Sequence, residues 1–229
     1  KILMIVLLSV AVYAFPLRIF GLEQSTEALL KVFKCILFIL IILFLYRKDI
    51  KSMRVRADYF GTQRYFKLAP GIALLLIYVL LKYNDFMKYT TDWGLAGLTI
   101  IATFLAATAE EVAFRLYLFN LFVQDGYQKY RAVILSSILF SLLHLVNIFR
   151  YGDIWAVINQ LIVAFFMGVL LCSLYSITRS ILFVSVYHFI VNVPAALRRI
   201  TEDAGENLTA LKQPTLMDNI ISTILYILI

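Results

Sequence analysis

The feature that most constrains the fold is a succession of apolar segments that are long enough to cross a lipid bilayer. Of the 229 residues, 62% are hydrophobic and only 15% are charged, and the mean hydropathy is +0.89. A soluble domain does not reach these values, and about 20 apolar residues cross the hydrocarbon core as a helix. The sequence therefore predicts an all-α fold, a polytopic membrane helical bundle with about eight transmembrane segments. The segments are residues 2–20, 28–46, 68–83, 95–122, 132–149, 154–177, 181–197 and 220–229.

Two of these segments depart from the length of a simple span. Residues 95–122 are long enough to tilt or to break into two helices, whereas residues 220–229 are too short to span as they stand. The longest polar stretches, residues 46–67 and 198–218, are too short to form a core of their own. We therefore expect a single membrane-embedded domain over residues 1–229.

The loop of residues 47–67 predicts the orientation of the chain. It holds seven Lys or Arg residues against Asp49 and Asp58, and loops of this kind remain in the cytoplasm. We therefore expect a multi-pass integral membrane protein with a cytoplasmic N-terminus, in a bacterial plasma membrane. The net charge of +7 fits such a loop and contact with the lipid bilayer, so no nucleic-acid partner is expected.

The two cysteines do not indicate a disulfide framework or a structural zinc site. Cys35 and Cys172 both lie in apolar segments and have neither CxxC nor other metal-ligand spacing. We expect both to be buried as small hydrophobic side chains.

Three charged residues interrupt the fourth apolar segment. Glu111 and Arg115 are four residues apart, so they share one face of a helix and can form an ion pair. Glu110 points in another direction and has no evident partner on its own helix. Because an unpaired buried carboxylate is costly, such a group is usually functional, and Glu110 is the candidate general base.

The two histidines of the chain lie at a similar depth to this carboxylate. Counted from the inner ends of their segments at ~1.5 Å per residue, Glu110 and His144 both lie ~18 Å into the membrane. By the same count, His188 lies ~12 Å and Asn192 ~18 Å deep, and these two residues share a helix face. Four costly polar side chains on three helices can therefore converge on one site.

Several other types of active site fit the sequence poorly. There is no HExxH zinc helix, GxSxG turn, phosphate-binding loop or dinucleotide fingerprint. The predicted spans contain no aspartate pair for aspartyl proteolysis, and no serine is singled out as a nucleophile.

Three motifs at these positions resemble those of a known family. EEVAFR at residues 110–115, FSLLH at residues 140–144 and HFIVN at residues 188–192 match, in order, EExxxR, FxxxH and HxxxN. They are similar to the CAAX protease and bacteriocin-processing family of intramembrane endopeptidases, which includes the type II CAAX prenyl endopeptidases. Leu116 departs from the small residue that commonly follows the arginine in this family.

The resemblance implies hydrolysis of a peptide bond in the membrane. We expect the substrate to be a peptide or a membrane protein whose scissile bond reaches the site from the cytoplasmic side. By position, Glu110 and His144 would activate a water molecule, and His188 and Asn192 would stabilise the oxyanion. Structural support would come from Glu111, Arg115 and Phe140. Residues 95–193 would then be the catalytic core, between the N-terminal helices of 1–94 and the outer loop and last segment of 194–229.

The residues leave the metal requirement and two other function classes open. Glu110, His144 and His188 could bind zinc with one open position, but Asn192 beside His188 favours a metal-independent site without a cofactor. A non-catalytic bacteriocin-immunity or partner-binding membrane protein is the main alternative. A proton-coupled transporter also uses intramembrane carboxylates, although no repeat is evident here. The oligomeric state cannot be read from the sequence.

Overall fold

The structure, a computed structural model, describes residues 9, 23–48, 63–86, 93–148 and 154–203. All regular elements in these ranges are helical, as expected for a chain whose backbone polar groups must be satisfied within lipid. The elements are α1 (Gln24–Leu45), α2 (Gln63–Phe86), α3 (Trp93–Glu111), a π-helical segment (Val112–Phe119), α4 (Asn120–Gln124), α5 (Lys129–Leu143), a 3-10 turn (His144–Asn147), α6 (Ile154–Thr178) and α7 (Ile181–Asp203).

The helices confirm an integral membrane protein but not the number of spans. Among the described residues, four continuous helices are long and apolar enough to cross a bilayer, namely Gln24–Leu45, Trp93–Gln124, Lys129–Asn147 and Ile154–Thr178. Helices α2 and α7 contain shorter apolar stretches. The predicted first and last segments, most of the basic loop and most of residues 198–218 lie outside the described residues, so the count of eight stays a prediction.

Helix α1 buries one apolar face against the protein and leaves other apolar faces exposed. Cys35, Phe38 and Ile42 recur at helical spacing and are buried on the face that packs against α3. Phe33 and Phe44 are exposed on other faces, as membrane helices tolerate because lipid is apolar. Burial of Cys35 here, and of Cys172 in α6, agrees with the prediction for both thiols.

Helices α5 and α6 approach each other closely at Gly168. A Cβ atom at this position would lie 3.0 Å from the Cβ atom of Ser137 and 3.1 Å from its Cα atom. Since the obstruction includes backbone, only a glycine fits without moving one helix. Small residues at such contacts are common in membrane bundles.

The long fourth segment neither breaks nor continues as a regular α-helix. It runs from Trp93 to Gln124 and contains the π-helical segment Val112–Phe119, which begins directly after Glu111. A π-helix has wider turns than an α-helix, and π-helical turns are frequent at functional sites. Ser136 Oγ of α5 donates a 2.8 Å hydrogen bond to the carbonyl oxygen of Phe114, which ties the π-helical segment to α5.

Candidate active site

The predicted pair of Glu111 and Arg115 forms at the start of the π-helical segment. Glu111 Oε1 lies 3.0 Å from Arg115 Nη1, and both side chains are almost completely buried. Arg115 Nη2 also donates a 3.3 Å hydrogen bond to the carbonyl oxygen of Gly168. The close approach at Gly168 thus also presents a backbone acceptor to the buried guanidinium group.

Glu111 makes a second contact that helical spacing does not predict. His188 Nδ1 of α7 donates a 2.9 Å hydrogen bond to Glu111 Oε1, the oxygen that also faces Arg115. One carboxylate therefore joins α7 to the helix that carries the charged motif. We call Glu111, Arg115 and His188 the buried brace.

Several polar atoms of the buried brace have no hydrogen-bond partner among the described residues. Within the described part of the chain, Glu111 Oε2 and the Nε and Nη1 atoms of Arg115 are buried without a hydrogen-bond partner, so Nη1 contacts Glu111 as an ion pair only. A buried network that is only partly satisfied loses more when one member is removed than an exposed network does.

Glu110 differs from its neighbour in exposure and in pairing. Its Oε2 atom lies 3.7 Å from His188 Nε2, which is too long for a direct hydrogen bond. Its side chain is 12% exposed, whereas that of Glu111 is 0% exposed. The imidazole of His188 thus lies between a buried carboxylate that holds it and a second, more accessible carboxylate.

His144 lies at the end of α5, where the helix tightens into the 3-10 turn. Its Nδ1 atom is 3.0 Å from the carbonyl oxygen of Phe140, and because a carbonyl only accepts, Nδ1–H is the donor. In the neutral ring, Nε2 is then left as an acceptor. The side chain is partly exposed.

The ring of Phe140 lies among the polar residues of the site. Its centroid is 5.1 Å from the ring centroid of His144 and 5.8 Å from that of His188, both in edge-on geometry. The Arg115 guanidinium carbon lies 4.4 Å from the same centroid, within the range of a cation–π contact. Phe140 therefore contacts both imidazoles and the guanidinium group, and the supporting role of its side chain stays a prediction.

Asn192 follows His188 by one turn of α7 and is exposed. The structure thus brings Glu110 and His188 within 3.7 Å and joins His144 to them through Phe140. Asn192 shares a helix face with His188 by its spacing but lies on the outer surface of the described helices. The amide is therefore accessible to a substrate that lies against α7.

The serines near the site have hydroxyl groups that are mostly engaged. Ser136, Ser137 and Ser141 donate to the carbonyl oxygens of Phe114, Val133 and Leu161, respectively. Ser136 and Ser141 thus tie α5 to the π-helical segment and to α6, whereas Ser137 bonds within α5. The hydrogen bonds described for these three serines do not reach His144 or His188.

The proposed zinc ligands do not form a complete set in this arrangement. Over residues 9, 23–48, 63–86, 93–148 and 154–203, no three His, Cys, Asp or Glu side chains come close enough to hold one metal ion. Glu110 and His188 supply two donors that face each other, but a structural or catalytic zinc site needs at least three protein ligands. The donor set as placed does not fit zinc.

Sequence reasoning missed the contacts between helices. The Glu111–His188 bond and the Gly168 carbonyl on Arg115 connect residues 77 and 53 positions apart, respectively. Similar depth in the membrane was the available signal for the first contact, and the single glycine of α6 was the signal for the second.

Comparison with known families identifies the central part of the chain. Residues 92–194 match the family model described as type II CAAX prenyl endopeptidase Rce1-like. The matched range contains all three motifs and begins just before α3. No curated protein and no solved structure gives a significant match.

Proposed function

Because the chain belongs, through residues 92–194, to the Rce1-like type II CAAX prenyl endopeptidase family of intramembrane proteases, we propose that it hydrolyses a peptide bond with a water molecule activated by Glu110. The substrate is a peptide or a membrane protein. The observation that carries this mechanism is the asymmetry of the two carboxylates about His188. Glu111 is buried and bound by two cationic or donor groups, while Glu110 is partly exposed and keeps its oxygens available.

Glu110 is suited to accept a proton because no arginine neutralises it. Arg115 lies against Glu111, and the ion pair that the described residues give Glu110 is the 3.7 Å approach to His188. A water molecule beside this gap can donate one hydrogen bond to Glu110 and lies within the reach that general-base catalysis requires.

His144 is suited to hold the same water molecule. Since the Phe140 carbonyl occupies Nδ1–H, the neutral ring offers Nε2 as an acceptor for the second hydrogen of the water. Its position at the end of α5, fixed by the Phe140 ring on one side, restricts the orientation of the imidazole.

In the proposed step, Glu110 removes a proton as the water oxygen bonds to the scissile carbonyl carbon. The negative charge that develops on the carbonyl oxygen would be stabilised by donors from α7. Asn192 supplies its side-chain amide. His188 donates from Nε2 when it is doubly protonated, because its Nδ1–H is held by Glu111. Before the proton transfer, the carboxylates of Glu110 and Glu111 together balance the charges of His188 and Arg115. The C–N bond breaks as Glu110 passes the proton to the leaving nitrogen.

The decisive test compares Glu110→Gln with the wild-type protein in vesicles of phosphatidylethanolamine and phosphatidylglycerol. A peptide library with and without C-terminal prenyl groups is incubated with each, in water enriched in oxygen-18, and products are read by mass spectrometry. We expect wild-type protein to cleave at least one peptide and to place one oxygen-18 atom in the new carboxyl group. Glu110→Gln keeps the side-chain shape and should release no product, whereas the control Glu23→Gln, at an exposed glutamate before α1, should behave as wild type. Normal turnover by Glu110→Gln contradicts the mechanism.

Metal independence is part of the same proposal and has a separate test. Treatment with 1,10-phenanthroline, followed by removal of the chelator and metal analysis of the protein, should leave turnover unchanged. Loss of activity that returns with added Zn²⁺ would instead assign Glu110, His144 and His188 to a metal site that forms in a different arrangement from this one.

A further inference from the structure

A second polar cluster lies at the other end of the π-helical segment from Glu111. Asn120, the first residue of α4, is buried, and its Nδ2 atom donates hydrogen bonds to the carbonyl oxygen of Leu116 at 2.8 Å and to that of Arg115 at 3.4 Å. It also donates to the hydroxyl group of Tyr175 on α6 at 3.0 Å. The amide thus binds the backbone of the residue whose side chain enters the buried brace.

The other end of the same amide binds Arg179. Asn120 Oδ1 accepts a 2.9 Å hydrogen bond from Arg179 Nη1, and the guanidinium group lies 5.7 Å from the ring centroids of Phe119 and Tyr175. Arg179 and Ser180 are the whole connection between α6 and α7. The side chain of Asn120 therefore links the π-helical segment directly to the residue pair that starts the helix of His188.

The backbone of Arg179 shows that this connection is tightly constrained. Its φ angle is +53°, a left-handed conformation that residues with a Cβ atom rarely adopt. Its N–H group donates to the carbonyl oxygen of Tyr175 at 2.8 Å, which closes the last turn of α6. Ser180 Oγ then accepts from the N–H of Phe183 at 3.2 Å and caps the first turn of α7.

We propose that Asn120 is a positioning residue, which holds the π-helical segment and the α6–α7 connection in register and thereby places Arg115 and His188 on Glu111. Arg179 is the link through which Asn120 acts on α7. The two residues touch neither the substrate nor the reacting atoms, and their role in turnover rests on the proposed function. Arg115 and His188 approach the same oxygen atom of Glu111 from two different chain segments. Asn120 hydrogen-bonds to both segments, through the carbonyl oxygen of Arg115 in the first and through the side chain of Arg179, just before α7, in the second.

The test uses the fact that the chain has only two histidines. Protein labelled with nitrogen-15 in the imidazole rings reports the tautomer and hydrogen bonding of each ring by solid-state NMR in the vesicles described above. The His188 signals are assigned by their loss in His188→Gln. In wild-type protein we expect His188 to carry a proton on Nδ1, bound to Glu111.

Three variants are compared by this readout and by kcat and KM on a peptide that the wild-type protein cleaves. Asn120→Ala removes both ends of the link, and Arg179→Gly removes one end while relaxing the left-handed backbone. Thr103→Val is the matched control, because this buried hydroxyl bonds only to the carbonyl of Thr99 on its own helix among the contacts that the structure gives it.

We expect both Asn120→Ala and Arg179→Gly to shift the His188 nitrogen signals and to mix in the second tautomer. kcat should fall by about tenfold to 10²-fold with little change in KM, the result of a small misplacement remote from the bound substrate. Thr103→Val should leave the His188 signals and the kinetics as in wild type. A purely structural Asn120 would change the melting temperature alone.

The positioning role is wrong if the folded Asn120→Ala protein keeps the wild-type His188 signals. If Asn120→Ala does not fold, the same result in Arg179→Gly overturns the role. The proposed function fails separately. If the signals shift in both variants but no wild-type preparation cleaves any peptide, the positioning of His188 stands and the peptidase mechanism does not.

Discussion

The buried and open sides of the candidate site differ in how their polar groups are held. On the buried side, Glu111, Arg115 and His188 are almost inaccessible, and Glu111 binds Arg115 on its own helix and His188 on α7. On the open side, Glu110 and His144 are partly exposed and Asn192 is exposed, with unused donors or acceptors. Adjacent polar residues in one membrane site can therefore serve different purposes: Glu111 and Arg115 fix the geometry and hold His188, whereas Glu110, His144 and Asn192 are available for chemistry.

The largest effect on stability is expected at the centre of the buried side. Arg115→Ala leaves the Glu111 carboxylate buried without its cation, and breaking such a pair costs about 3–5 kcal/mol. The melting temperature of the purified protein in detergent should fall sharply. Arg115→Lys, which keeps the charge but not the fork that reaches both Glu111 and the Gly168 carbonyl, should lose less stability. If the Arg115→Ala protein is as stable as wild type, the buried side does not stabilise the fold, and the two sides of the site do not differ in the way described above.

A smaller loss is expected where α5 and α6 meet. Gly168→Ala forces a methyl group against the Cα and Cβ atoms of Ser137, and overpacking of this kind costs about 1–3 kcal/mol. Gly97→Ala is the matched control, because nothing lies within 4 Å of its added Cβ atom. Chemical denaturation of both variants checks the prediction, and equal stability of the two would show that the close approach at Gly168 is unimportant.

The smallest effect on stability is expected on the open side. Asn192→Ala removes an exposed side chain, so the free energy of unfolding should change by less than about 0.5 kcal/mol. If the amide donates to the developing oxyanion, kcat should fall by about 10²–10³-fold. Thermal melts and steady-state kinetics on the same preparation measure both. A large loss of stability with little loss of kcat would show that Asn192 stabilises the fold, as the buried brace does, and does not act on the oxyanion.

Hydropathy and helical spacing predict much of this arrangement. Apolar length marks the helices of the first two motifs, whereas α7 has only a shorter apolar stretch, and the i,i+4 rule predicts the Glu111–Arg115 pair. The Glu111–His188 bond depends on the relative rotation and shift of two helices, which no local pattern encodes. The π-helical segment VAFRLYLF contains no Gly or Pro that would predict it. Two side chains donate hydrogen bonds to its carbonyl oxygens: Ser136, which is distant in sequence, and Asn120, which directly follows the segment. The exposure of Asn192 likewise depends on which helices stand beside α7.

The assignment of Glu110 as the base and Glu111 as the brace is tested most directly by purifying Glu110→Ala and Glu111→Ala side by side. Melting temperature and turnover of a cleaved peptide are measured on both. Both variants should lose activity, but for different reasons. Glu111→Ala strands Arg115 and releases His188, so its melting temperature should fall, with a loss of about 3–5 kcal/mol in stability. Glu110→Ala removes a carboxylate that no arginine or lysine pairs with among the described contacts and that His188 approaches only to 3.7 Å, so its melting temperature should hold or rise. If Glu110→Ala is the more destabilised of the two and Glu111→Ala melts as wild type, the two roles are reversed and the account is wrong.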